Sequence, residues 1–181
     1  CEHDETVPDL LVLGKALGGG ILPIAAVLAR SELDVAGNYA LGHYTHEKNP
    51  VTAKAALTTI EIIEKENLVE NAAVQGKYML DQLNLLKDKH HSIGDVRGLG
   101  LLIGVELVLN RKQKTAAEDL AEDVLYRCLG KGLSFKITMG NVLTLSPPLI
   151  ITRKQIDISL KILDQCISEA EKFACLKKTS S

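Results

Sequence analysis

Apolar positions change their spacing several times along the chain, and each change predicts an element. A short apolar run, Leu10 to Leu13, gives way to a glycine-punctuated stretch, Gly14 to Gly20. Pro23 to Ala29 follows, rich in small and β-branched residues, so this region reads as strand, loop, strand. Asn49-Pro50 then supplies an N-cap with proline at the first helical position. Ala53, Ala56, Leu57, Ile60 and Ile63 follow at helical spacing, which predicts a helix over about 50–64. Asn67 and Glu70 have the spacing of a capping box, and Leu68, Ala72, Gly76, Met79, Leu83 and Leu86 carry a second helical stripe to about residue 87.

Beyond the polar break at Lys87 to Ser92 the period shortens. Ile93 to Leu109 alternates weakly and holds Gly94, Gly98, Gly100 and Gly104, which predicts a strand bent by a turn or bulge. Thr115 with Glu118 predicts a capped helix through Cys128, ended by Gly130 and Gly132. Leu133 to Thr138 and Val142 to Ser146 read as two short strands joined at Gly140-Asn141. Thr152 with Gln155 caps a last helix whose face is Ile156, Leu160, Leu163, Ile167 and Ala170, with a frayed tail from Lys177.

These elements fall into two groups. Residues 66–181 supply helices for one face of a small sheet, an α+β unit able to close its own core. Residues 1–65 supply two strands and a helix, too little for a core, and read as the end of a larger α/β domain. The acidic start and the missing initiator Met agree with a piece of something longer.

Composition narrows the function. In 181 residues, 21 Lys+Arg against 23 Asp+Glu leave a formal charge of −2, which argues against a basic groove for nucleic acid. Aromatics are 3% and Trp is absent, so stacking platforms for single strands are not expected. The longest apolar run, Ile21 to Ala29, contains Pro23 and falls far short of the ~20 residues that cross a bilayer. No membrane segment is expected, nor does the start have the basic-then-apolar form of a secretory signal.

Cys1, Cys128, Cys166 and Cys175 are widely spaced, which suits reduced thiols and a cytoplasmic setting; Cys128 and Cys166 fall on apolar helix faces as small buried hydrophobes. His43 and His46 stand three residues apart with no third ligand nearby, and His3, His90 and His91 lie in polar stretches. Histidines that are solvated, or that support a neighbouring site without ligating, are expected rather than a metal site.

The glycine-rich stretch around Lys15 is not a phosphate-binding P-loop, since Asp9 stands at the first glycine position and Ala16 follows the lysine. Gly98-Leu99-Gly100 is not a dinucleotide fingerprint either, because Ile103 stands where the third glycine belongs. What remains is a lysine at the end of an apolar strand, beside three successive glycines that allow close backbone approach. Poorly solvated, such a lysine is an amine nucleophile toward an aldehyde; well solvated, it is an ordinary loop residue. The local pattern alone leaves both open.

A longer comparison of motifs decides between them. Pro8-Asp9-Leu10-Leu11-Val12-Leu13-Gly14-Lys15-Ala16-Leu17-Gly18-Gly19-Gly20, followed by Pro23-Ile24-Ala25-Ala26-Val27, resembles the cofactor-lysine motif of the class III (ω-type, subgroup II) pyridoxal-phosphate-dependent aminotransferases. Thr45-His46-Glu47-Lys48-Asn49-Pro50 is similar to that family's T-x-x-x-N-P segment, Val96 to Glu106 to its R-G-x-G-L-x-x-G-x-E segment, and Leu145 to Leu149 to its C-terminal strand end. The resemblance implies the C-terminal part of a fold-type I enzyme, α/β to α+β in class, with the end of the large cofactor domain over 1–65 and the small domain over 66–181. It implies pyridoxal 5'-phosphate as cofactor, Lys15 as the Schiff-base and proton-moving residue, and Thr45 as a hydroxyl reaching the cofactor phosphate across a homodimer interface. Arg97 is expected to be structural.

Implied substrates are a small-molecule amine or amino acid and a keto acid. The family's pyridine-nitrogen aspartate and phosphate-binding turn precede the matched segment. In several members an arginine that binds a substrate carboxylate stands where this chain has Thr144, which weighs against ornithine-like and acetylornithine-like substrates. A lyase or epimerase on the same scaffold, or a non-catalytic dimerisation or binding module, are the rival readings.

Overall fold

A computed structural model describes residues 2–39, 42 and 45–179. Its residues divide into two compact units, Cys1–Glu66 and Asn67–Ser181.

In the first unit, β1 (Leu10–Leu13) and β2 (Ala26–Ala29) pair antiparallel, Leu10 opposite Ala29 and Leu13 opposite Ala26. The second strand starts three residues later than the pattern predicts. Residues 19–25 are used in turning the chain, with Gly19 and Gly20 both left-handed at φ +71° and +75°. Helix α1 (Pro50–Lys65) begins where the cap signal places it: Asn49 Oδ1 accepts from the Val51 N–H at 2.9 Å, and Pro50 occupies the first turn, where no N–H is missed.

In the second unit, α2 (Leu68–Lys89) is followed by β3 (Ile93–Leu99) and β4 (Leu102–Asn110), an antiparallel hairpin. The predicted bent strand is thus two strands, divided at Gly100, whose φ of +54° turns the chain. That hairpin end meets α2 so closely that a Cβ on Gly76 would collide with the Gly100 carbonyl oxygen. A side chain there would separate helix from hairpin. After β5 (Thr115–Ala116) come α3 (Glu118–Gly130), β6 (Lys136–Thr138), β7 (Val142–Leu145) and α4 (Arg153–Thr179). Sheet order is β3-β4-β7-β6, with β5 paired to β4.

Several local predictions need correction. Asn67 is left-handed at φ +51° and its side chain does not cap α2. Thr115 is not a cap: it joins the ladder opposite Asn110, and Ala117 donates to the Leu107 carbonyl, so α3 starts at Glu118. The strand expected from Leu133 shrinks to Lys136–Thr138, and the hairpin turn is centred on Met139 and Gly140, both at positive φ, rather than on Gly140-Asn141. Helix α4 runs through Lys177 to Thr179, where a frayed tail is expected. By contrast Thr152 and Gln155 do form a capping box, with Gln155 Oε1 accepting from the Thr152 N–H at 2.9 Å and Thr152 Oγ1 from the Gln155 N–H at 3.4 Å.

One face of the sheet is dry. Ile103, Val105 and Leu107 alternate inward along β4 and meet Leu143 and Leu145 of β7 under Met79 and Leu83 of α2, Val124 and Cys128 of α3, and Ile156, Leu163 and Ile167 of α4. Asn141 extends the ladder from a buried position. Its Nδ2 donates to the Leu107 carbonyl at 2.8 Å, and its own carbonyl accepts from Leu107 N–H at 2.9 Å. Cys128 and Cys166 are free thiols within this core, as their helix faces predict; burial and then the neighbouring Cys166 thiol push Cys128 well above the ordinary thiol range.

His90 departs furthest from expectation. It is buried, with Nε2 at 2.6 Å from Asp164 Oδ1 and Nδ1 at 3.1 Å from Glu171 Oε2. Glu171 also accepts from the Ser92 N–H, and Lys89 reaches Asp164 at 2.7 Å. Arg111 donates to the carbonyls of Lys87 and His90 at the end of α2. Together these groups tie the exit of α2 to α4.

Candidate functional site

Lys15 follows β1 after Gly14 and opens a 3-10 turn, Lys15–Gly18. Leu17 N–H donates to the Gly14 carbonyl at 3.1 Å and Gly19 N–H to the Ala16 carbonyl at 2.9 Å, which closes the turn at a left-handed glycine. Lys15 itself is left-handed at φ +50°, a conformation that costs a non-glycine residue about 1 kcal/mol and that neighbouring structure must hold. Gly18 is buried, and a Cβ on it would stand 3.1 Å from Ile24 Cγ2. The loop therefore folds back on residues 22–25, and Lys15 lines an open concavity with Gly20, Leu22, Pro23 and Ala25.

The Lys15 ammonium has no hydrogen-bond or ion-pair partner among the described residues. A primary amine free at the wall of a concavity fits a group that bonds through an aldehyde carbon, and the glycines leave the approach open.

Thr45 stands exposed in the turn 45–48 ahead of α1, and its neighbours His43 and Tyr44 lie outside the described residues. Thr45 and Lys15 share the first unit and both precede α1 in sequence, without a bond between them. Cys1 likewise lies outside the description, as does the Cys175 side chain.

In the second unit, the open face of the sheet carries Arg97. Its Nη1 bonds Asp95 at 2.8 Å and Glu106 at 2.6 Å, so the guanidinium is spent within the hairpin, as a structural arginine would be. That bond to Arg97 holds the Asp95 carboxyl below the usual carboxylate range. Thr144, across β7, shares a hydroxyl hydrogen bond of 2.8 Å with Thr138. A cavity of about 440 Å³ between α2, α4 and the strand ends is lined mainly by apolar residues, among them Met79, Leu133, Phe135, Leu160 and Leu163, and has no titratable group for chemistry. Among the described residues no three His, Cys, Asp or Glu side chains are placed so that they could hold a metal ion, and no helix is long and apolar enough to cross a membrane.

A lysine set on a glycine-rich turn after a strand, at the wall of an open concavity, has the form of a site for a group that bonds an amine. The model of the family described as Aminotransferase class-III matches residues 1–167, and the chain belongs to that family, whose cofactor is pyridoxal phosphate. The fold is that of the fold-type I enzymes.

The chain is 48% identical over 162 residues to an (R)-1-hydroxy-2-aminoethylphosphonate ammonia-lyase of Vibrio splendidus, covering 90% of this chain and 34% of that protein. It is 42% identical to a leucine/methionine racemase of Thermococcus litoralis, covering 94% and 38%. The solved structure of a transaminase with L-alanine superposes with a TM-score of 0.89 at 31% identity, over 96% of this chain and 43% of that one. The chain thus spans roughly a third to two-fifths of the length of the proteins it matches.

The glycine run and the lysine were legible in sequence. Thr59, packed beneath the turn, gave no signal: a threonine inside an amphipathic helix is unremarkable until its neighbour is known.

Proposed function

We propose that the whole protein moves an amino group from an amine or amino acid to a keto acid by transamination, with Lys15 as the catalytic residue. The observation that carries this reading is the unpartnered Lys15 amine on its left-handed turn at the concavity. Pyridoxal phosphate, when bound, supplies a conjugated ring that stores the electron pair left on the amine-bearing carbon.

Lys15 Nζ holds the cofactor, yields to the incoming amine, then takes the proton from that carbon and returns it elsewhere. The Thr45 hydroxyl is assigned to the cofactor phosphate, in a homodimer where it serves the partner's site. Residues 1–65 are read as the end of the large domain and 66–181 as the small one. The free thiols of Cys128 and Cys166 support a cytoplasmic location.

A second reading is favoured by the 48% identical relative, whose name is that of an ammonia-lyase. With the proton gone, a leaving group next to the carbanion departs and ammonia follows, and no keto acid is needed.

The deciding experiment supplies the full-length protein with candidate amines, with and without an amino-acceptor keto acid. Transamination predicts turnover only with the acceptor and a new amino acid as product, whereas acceptor-independent ammonia release selects the lyase reading. In either case Lys15→Ala should lower kcat by about 10³-fold or more, since a positioned acid/base alone contributes up to about 10⁴. An undiminished Lys15→Ala enzyme would end both readings.

A further inference from the structure

The turn that opens with Lys15 rests on α1. Thr59, half-buried on that helix, donates its hydroxyl hydrogen to the Ala55 carbonyl at 2.8 Å, which fixes the side-chain rotamer. Its oxygen then lies so close to Gly19 that a Cβ there would stand 3.2 Å away. Gly19 is the residue whose N–H closes the turn onto Ala16, and its φ of +71° is set by that closure. On a second side, Gly18 is held against Ile24. Lys15 stands three residues before Gly18 and keeps a left-handed backbone that only its surroundings maintain.

We propose that Thr59 is a positioning residue for Lys15: its side chain is the stop against which the Lys15–Gly18 turn rests, and its shape sets where the lysine amine stands. The physical reason is leverage through a short, rigid element. A 3-10 turn of four residues has no slack, so a displacement at Gly19 is passed to Lys15. A misplacement of the reacting amine by about 1 Å is enough to cost up to about 10²-fold in rate. Threonine suits the place because the hydroxyl bond to Ala55 pins a compact side chain, where serine keeps the pin and leucine overfills the gap.

This inference rests on the reading of Lys15 as the catalytic amine, and the test separates the two. In the full-length protein, Thr59→Leu is compared with Thr59→Ser and Lys15→Ala. For Thr59→Leu the expected result is a fall in kcat of about tenfold or more, with KM for the amine changed less than about twofold. In the cofactor-free protein it should also raise deuterium uptake at amides 15–22, with uptake in α2–α4 unchanged. Thr59→Ser is expected to retain kcat within about threefold of the parent, since the rotamer pin survives.

If Lys15→Ala abolishes turnover while Thr59→Leu changes neither kcat nor exchange, the positioning role is wrong and the Lys15 reading stands. A kcat loss in Thr59→Leu accompanied by raised exchange along all of α1 would also overturn it, since that marks a helix destabilised as a whole. Full activity in Lys15→Ala would overturn the Lys15 reading and this inference with it.

Discussion

Up to Glu66, Ala56 is the one buried apolar side chain among the described residues, while Val12, Ile21 and Val27 stand 71%, 87% and 64% exposed. From Asn67 on, Leu83, Ile93, Val105, Leu107, Leu143 and Ile156 are each fully buried in one cluster under three helices. The candidate chemistry lies in the first unit and the hydrophobic core in the second. Two strands with apolar side chains on both faces read as an interior sheet, and such strands gain their stability from neighbours on either side. The second unit has an inward face, packed under its own helices, and an outward one.

The largest effect that would break this contrast concerns His90. Removing it leaves Asp164 and Glu171 facing a gap at the exit of α2, and His90→Ala should destabilise the second unit by about 3 kcal/mol, as loss of a buried side chain that hydrogen-bonds two carboxylates does. Urea unfolding of the chain measures this. Burial pushes the Asp164 carboxyl up, but hydrogen bonds from Lys89 and His90 outweigh it and hold the group below its ordinary range. Burial likewise acts on Glu171 and is outweighed by bonds from His90 and Ser92. Groups depressed in the folded state stabilise it above the ordinary carboxylate range and lose that contribution as pH falls through and below that range. Parent stability should therefore drop on acidification, and His90→Ala should flatten the drop. An acid limb unchanged by the substitution would mean the cluster is not coupled as described.

A smaller effect sharpens the contrast directly. Leu163→Ala, in the core at 1% exposure, should cost about 2–3 kcal/mol in the 181-residue chain, whereas Val12→Ala should stay within about 0.5 kcal/mol. In the full-length protein Val12→Ala should become costly, about 2 kcal/mol, if strands outside this chain cover β1. Equal, small costs in both settings would show that β1 is open to water in the whole protein too.

How far the sequence foretold all this depended on the range of the interaction. Asn49-Pro50 and Thr152 with Gln155 were readable because cap and capped groups lie within a few residues. Thr115 misled for the complementary reason: a capping signature of three residues lost to a ladder with Asn110 and Leu107 that no local pattern announces. His90 looked solvated because its partners Asp164 and Glu171 are 74 and 81 positions away. Lys15 was open between two readings on local grounds, and the motif resemblance decided it. Its left-handed backbone and the Thr59 contact needed coordinates.

We assign the amine that carries the chemistry to Lys15, in the unit that lacks a core. Borohydride reduction of the full-length protein in its pyridoxal-phosphate form, followed by proteolysis and mass mapping, tests it most directly. The expected result is one phosphopyridoxyl-modified peptide, bearing the mark on Lys15, and no mark on Lys48, Lys54 or any lysine of the second unit. A mark on another lysine, or stoichiometric cofactor with no reducible bond to Lys15, would contradict it.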